Sequence, residues 1–130
     1  MSSRTGQVQN PAESRTAKGR VAEEIVAGRL LENGWDVVAR NWRRGRGELD
    51  IVAHRGDSLV FVEVKVTDAY GIESLGSSVG YRKRLRIVET SKLFLSEHRE
   101  FNHAAVRYDV ASVRKGILMD YFENAFVERS

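Results

Sequence analysis

The chain contains no cysteine and one proline, Pro11. Without cysteine there is no disulfide framework and no zinc–thiolate site. No apolar run approaches 18 residues, so a membrane-spanning helix is excluded. The first residues are rich in Ser, Arg and Gln and lack the apolar stretch of a secretory signal, so a cytoplasmic protein is expected. Nucleotide-binding fingerprints are missing too. Gly45-Arg46-Gly47 lacks the spacing of a dinucleotide loop, and no Walker sequence occurs. No serine sits on a nucleophile elbow. The three histidines (His54, His98 and His103) have no zinc spacing and are expected to be structural or solvent-facing.

A length of 130 residues with 42% hydrophobic side chains suits one domain with a core of its own. Residues 1–20 hold four basic groups and one acid and so supply the whole net charge of +3. Residues 1–15 read as a disordered basic tail and 16–130 as a single domain. Two further basic clusters stand out. One is Arg40, Arg43, Arg44 and Arg46; the other is Arg82, Lys83, Arg84 and Arg86. Such clusters suit a nucleic-acid backbone, although two solvated faces would look the same.

The periodicity predicts a helix from Ala17 to Asn33, with Ala22, Ile25, Val26 and Leu30 as its apolar stripe. Glu23 borders that stripe and can reach inward, whereas Glu24 reads as surface. Trp35 to Trp42 reads as a strand with Trp35, Val37 and Ala39 on one face, and 41–47 as a connection. Thr67 to Ser78 reads as a loop, and Val79 to Glu97 as a second helix. Ala104–Val113 and Ile117–Phe122 read as strands joined at Arg114-Lys115-Gly116, followed by a short turn at 124–126.

The centre of the chain is more specific. Two aliphatic runs, Glu48–Ala53 and Leu59–Val66, flank Gly56-Asp57, a two-residue hairpin signal. That loop makes Arg55 face Ser58, Val52 face Phe61, Asp50 face Glu63 and Glu48 face Lys65. The other face pairs Leu49, Ile51 and Ala53 with Val64, Val62 and Val60, and should be core. Like charges directly opposite destabilise a sheet. A divalent cation between Asp50 and Glu63 reverses the sign, since carboxylate oxygens are preferred ligands of Mg²⁺. Lys65 points to the same face as Glu63 by the strand period.

An acid followed after twelve residues by Glu63-Val64-Lys65 matches the PD-(D/E)xK arrangement of nucleases. Further motifs accompany it: Gly19-x-x-x-Glu23, Asn41-x-Arg43, Gly47-Glu48-x-Asp50-x-Val52, Tyr70-Gly71, Lys83 and Arg107-Tyr108-Asp109-Val110. With these the chain resembles the YraN-type family of small bacterial proteins, from about Gly19 to Phe126. That family is similar to Holliday-junction resolvases. Leu49 stands where the nuclease motif has proline, and Thr67 where family members often carry a base.

The resemblance implies an α/β restriction-endonuclease-like core, a mixed central sheet flanked by helices. It implies Mg²⁺-dependent cleavage of phosphodiester bonds in DNA, branched or junction DNA included, with Mn²⁺ able to substitute. Carried over, Asp50, Glu63 and the Val64 carbonyl would bind the metal. Lys65 would orient or deprotonate the attacking water, and Glu23 would reach in from the first helix. Arg43, Arg44, Arg46, Arg82, Lys83, Arg84 and Arg86 would hold the DNA backbone. Family analogy also suggests a homodimer. The alternatives are a non-catalytic nucleic-acid-binding module with the nuclease fold, and an adaptor binding a protein through its sheet edge.

Overall fold

A computed structural model describes residues 17–67 and 80–127. The expected tail, and nearly all of the loop expected after Thr67, lie outside the described residues. The elements in order are α1 (Ala17–Glu32), β1 (Asp36–Arg44), β2 (Gly47–Arg55), β3 (Ser58–Val66), α2 (Tyr81–Glu97), a 3₁₀ turn (Arg99–Phe101), β4 (Ala105–Arg114) and β5 (Ile117–Phe126). The strands form one sheet in the order β1-β2-β3-β4-β5. Only the β3–β4 pair is parallel. Parallel neighbours need a long crossover, and the segment containing α2 supplies it. The result is a mixed five-stranded sheet with a helix on each face.

Alternation along β2 and β3 sorts the core into two layers. Ile51, Ala53, Val60 and Val62 meet α1 through Ala22, Val26, Ala27 and Leu30. Val52, Leu59 and Phe61 meet α2 through Ile87, Val88 and Phe94. Phe94 is fully buried, with its ring edge-on to Trp42 at 5.2 Å and to Phe61 at 5.9 Å.

The β2–β3 register agrees with the sequence from Arg55↔Ser58 to Ile51↔Val62. Gly56 takes φ +58°, as the first central residue of a II′ turn must. Beyond Ile51↔Val62 the regular ladder ends. Leu49 therefore does not join Ile51 in the α1-side core. It packs on the other side with Trp42 and Ile87, correcting the expected face.

β1 also differs from the simple alternation. It runs on to Arg44 and turns directly into β2 through Gly45-Arg46. A bulge between Val37 and Ala39 shifts the register by one residue. Val37 thus packs toward α1 and Ala39 toward α2, where alternation had put them together. At the C-terminus, residues 124–126 extend β5 rather than forming a separate turn. A second bulge, with Asn124 at φ +52°, brings Phe126 back to stack on Tyr108 at 5.1 Å.

Candidate active site

The site begins where the β2–β3 ladder ends. In β1, Arg40 faces Ile51 and Trp42 faces Leu49, which puts Asn41 opposite Asp50. Asn41 adopts φ +53°, a left-handed conformation that asparagine tolerates better than most residues. At this irregular rung the Asp50 carboxylate turns toward β3 and accepts the Val64 N–H at 2.9 Å. Glu63, on β3, is 7% exposed. Both acids line one hollow of about 140 Å³, with Glu48, Arg46, Lys83 and Arg86 around it.

Close approach of α2 closes this hollow. A Cβ on Gly47 would lie 1.8 Å from Thr90 Oγ1, so only glycine fits where β2 starts beneath the helix. Thr90 is held in place by donating its hydroxyl to the Arg86 carbonyl at 2.6 Å. Gly47→Ala is expected to push α2 off the sheet and cost about 1–3 kcal/mol, as overpacking usually does. Urea denaturation reads this, and an unchanged midpoint would refute the packing argument.

The electrostatics of the hollow are unbalanced at its floor. Burial, then the neighbouring charge of Glu63, pushes the Asp50 carboxyl up to about 7, against the opposing bond from Val64 N–H. Lys83 reaches in from α2, with Nζ 2.5 Å from Glu63 Oε2. Burial disfavours its ammonium, but Glu63 and Asp50 outweigh that and hold the amine above its ordinary value. The sequence named Lys83 for DNA backbone and gave no sign of this pairing.

The other expected site residues fall in several places. Lys65 follows Glu63 on the same face of β3 by alternation and is half-buried. Glu23 is 3% exposed on α1. Its helix packs on the opposite side of the sheet from α2, so Glu23 approaches from the far face. Arg43 pairs with Glu48 at 3.5 Å. Arg44 grips Glu97 at 2.7 Å and lies over the Trp42 ring at 4.4 Å, so its guanidinium joins β1 to the end of α2. Arg40 pairs with Glu24 of α1 at 3.0 Å. Arg46, Arg82 and Arg86 are exposed, and Arg84 is half-buried with its Nε lacking a hydrogen-bond partner. The first turns of α2 carry no acid and no side-chain cap. An anion near them would relieve the crowded cations and the helix dipole together.

A divalent cation fits this donor set. Two carboxylates from adjacent strands converge, one of them strongly resists ionisation beside the other, and a cation removes that conflict. Mg²⁺ commonly takes one or two protein carboxylates and keeps several waters. Among the described residues no group of three or more acidic or imidazole side chains is placed to hold a metal.

Comparison with known proteins agrees on one family. Residues 22–113 match the model of the uncharacterised protein family UPF0102. A UPF0102 protein of Treponema pallidum (strain Nichols) is 44% identical over 96 residues, covering 74% of this chain and 76% of that protein. One from Synechococcus sp. (strain JA-3-3Ab) is 38% identical over 117 residues, covering 83% and 89%. One from Pseudomonas aeruginosa (strain LESB58) is 34% identical over 119 residues, covering 88% and 95%. The matched span runs from α1 through β4 and includes Glu48, Asp50, Glu63 and Lys83 of the hollow, and the chain belongs to the UPF0102 family.

Proposed function

We propose that this protein is a Mg²⁺-dependent endonuclease that hydrolyses phosphodiester bonds in DNA, on a restriction-endonuclease-like core. The observation that carries this reading is the convergence of Asp50 and Glu63 in one hollow whose rim is basic. A buried acid and a half-buried one in mutual conflict are costly to keep unless a cation uses them. Basic side chains beside them suit a phosphate rather than a free metal.

Asp50 and Glu63, with the Val64 carbonyl, would hold the metal. When bound, it supplies Lewis-acid polarisation of the phosphate and lowers the pKa of a coordinated water. Lys65 would hold or deprotonate that attacking water. Arg46, Arg82, Arg84 and Arg86 would take the DNA backbone. Recognition is then of phosphates rather than bases, so affinity falls steeply with salt and shows little sequence preference. Branched DNA is the substrate class for which a homodimer would bring two such sites to one junction.

One observation favours a second reading. The Lys83–Glu63 ion pair satisfies Glu63 without a metal, as a non-catalytic DNA-binding module would require. The test is cleavage of linear, flapped and four-way DNA with Mg²⁺ or Mn²⁺. The enzyme reading expects cutting that falls at least about 10²-fold in Asp50→Asn and in Glu63→Gln while DNA binding persists. Binding without cutting by the unsubstituted protein would overturn it in favour of the module.

A further inference from the structure

We infer that Lys83 is a positioning residue that takes the cation's place on Glu63 and yields it when a phosphate group arrives. This rests on the metal-dependent reading above and adds a coupling between substrate and metal. The two partners are unequal. The Glu63 side chain is 8% exposed and fixed on β3, whereas that of Lys83 is 44% exposed and reaches in from the rim. Lys83 is therefore the partner free to leave.

Its own surroundings pull in two directions. Arg82, Arg84 and Arg86 crowd the same turns of α2, beside the positive end of the helix dipole. Glu63 and Asp50 are the acids that offset this crowding at Lys83. A phosphate entering along the basic rim offers a second anionic partner on the solvent side. A divalent ion on Glu63 would sit beside an ammonium 2.5 Å from the same carboxylate, and the two cations compete for it. Metal therefore binds weakly while Lys83 is docked, and DNA binding should tighten it by drawing the amine outward. Coupling of this kind is reciprocal and commonly about 5- to 150-fold.

Calorimetric titration of Mn²⁺ into the full-length protein without DNA tests this. Lys83→Met keeps the stem and removes the charge, and Lys83→Gln repeats the measurement with a polar end. Arg86→Met removes a charge from the same rim without touching the ion pair. Both Lys83 variants are expected to bind Mn²⁺ about tenfold or more tightly than the unsubstituted protein, and Arg86→Met much less so. A non-hydrolysable phosphorothioate duplex should bring the unsubstituted protein close to the Lys83 variants. Equal gains from Lys83→Met and Arg86→Met, or no gain, would overturn the inference and leave the proposed metal site standing. Absence of Mn²⁺ binding in every protein would overturn both.

Discussion

Asp109→Asn is expected to lower the unfolding free energy by about 3–5 kcal/mol, the range for removing one partner from a buried charged network. Asp109 has no exposed surface. Its carboxylate accepts from Arg107 Nε at 2.9 Å, Arg107 Nη2 at 2.8 Å, the Tyr121 hydroxyl at 2.6 Å and the Asn124 N–H at 2.8 Å. An asparagine offers one acceptor oxygen and turns an NH₂ group toward donors. Arg107, with its side chain 25% exposed, would lose its main counter-charge. The bulge that returns Phe126 to Tyr108 would lose its anchor at Asn124. Burial, then the bond to Asp109, raises the Tyr121 pKa, so its hydroxyl stays protonated and donating. Tyr121→Phe removes the hydroxyl but leaves the charge of Asp109 and its other donors, and should cost about 1.5–3 kcal/mol. Urea denaturation of the two variants checks the ratio. Similar small losses in both would show that the charge of Asp109 contributes little.

Asp50→Asn is expected to stabilise the metal-free protein at neutral and alkaline pH while removing the divalent-ion response. A carboxyl whose folded pKa exceeds its unfolded value favours folding only in its protonated form. That contribution is complete below the unfolded pKa and is lost as pH rises to the folded one. For Asp50 the window runs from 3.8 to about 7. Such a shift corresponds to roughly 4 kcal/mol by ideal linkage. The asparagine oxygen still accepts the Val64 N–H and carries no charge beside Glu63. The stability difference between variant and unsubstituted protein should therefore grow from pH 4 to pH 8. Added Mg²⁺ should shrink it by stabilising only the unsubstituted protein. Denaturation at several pH values, with and without Mg²⁺, gives the result directly. A variant less stable than its parent at pH 8 would mean that the acidic pair does not strain the fold.

These two acids were unequally visible in the amino-acid sequence. Asp50 lies in a strand between apolar neighbours and is paired by alternation and the hairpin loop with Glu63; the regular pairing stops one rung short, at Ile51↔Val62, and the carboxylate turns to Val64 N–H instead. Asp109 also alternates in its strand, with Arg107, and that pattern is equally that of a solvent-facing pair. Its partners Tyr121 and Asn124 arrive from β5, another part of the chain. The Arg107 guanidinium lies 5.3 Å over the Trp35 ring.

Local rules acted where contacts are close along the chain. The two-residue loop at Gly56-Asp57 set the pairing of five successive rungs, because a hairpin register follows from its turn. Helical period likewise marked the core side of α1. These rules broke down at Val38 and Leu49, where a bulge and the end of the ladder redirect side chains that strict alternation assigns elsewhere.

The sequence by itself determined the family, the helices and strands, and the strand pair that carries Asp50 and Glu63, since each follows from spacing within a few residues. The docking of α2 was decided only by the tertiary structure. Gly47 must pass beneath Thr90 before Lys83 can reach Glu63, twenty positions earlier in the chain. No period or turn encodes that contact, because it depends on how closely a helix settles on a sheet once both have formed.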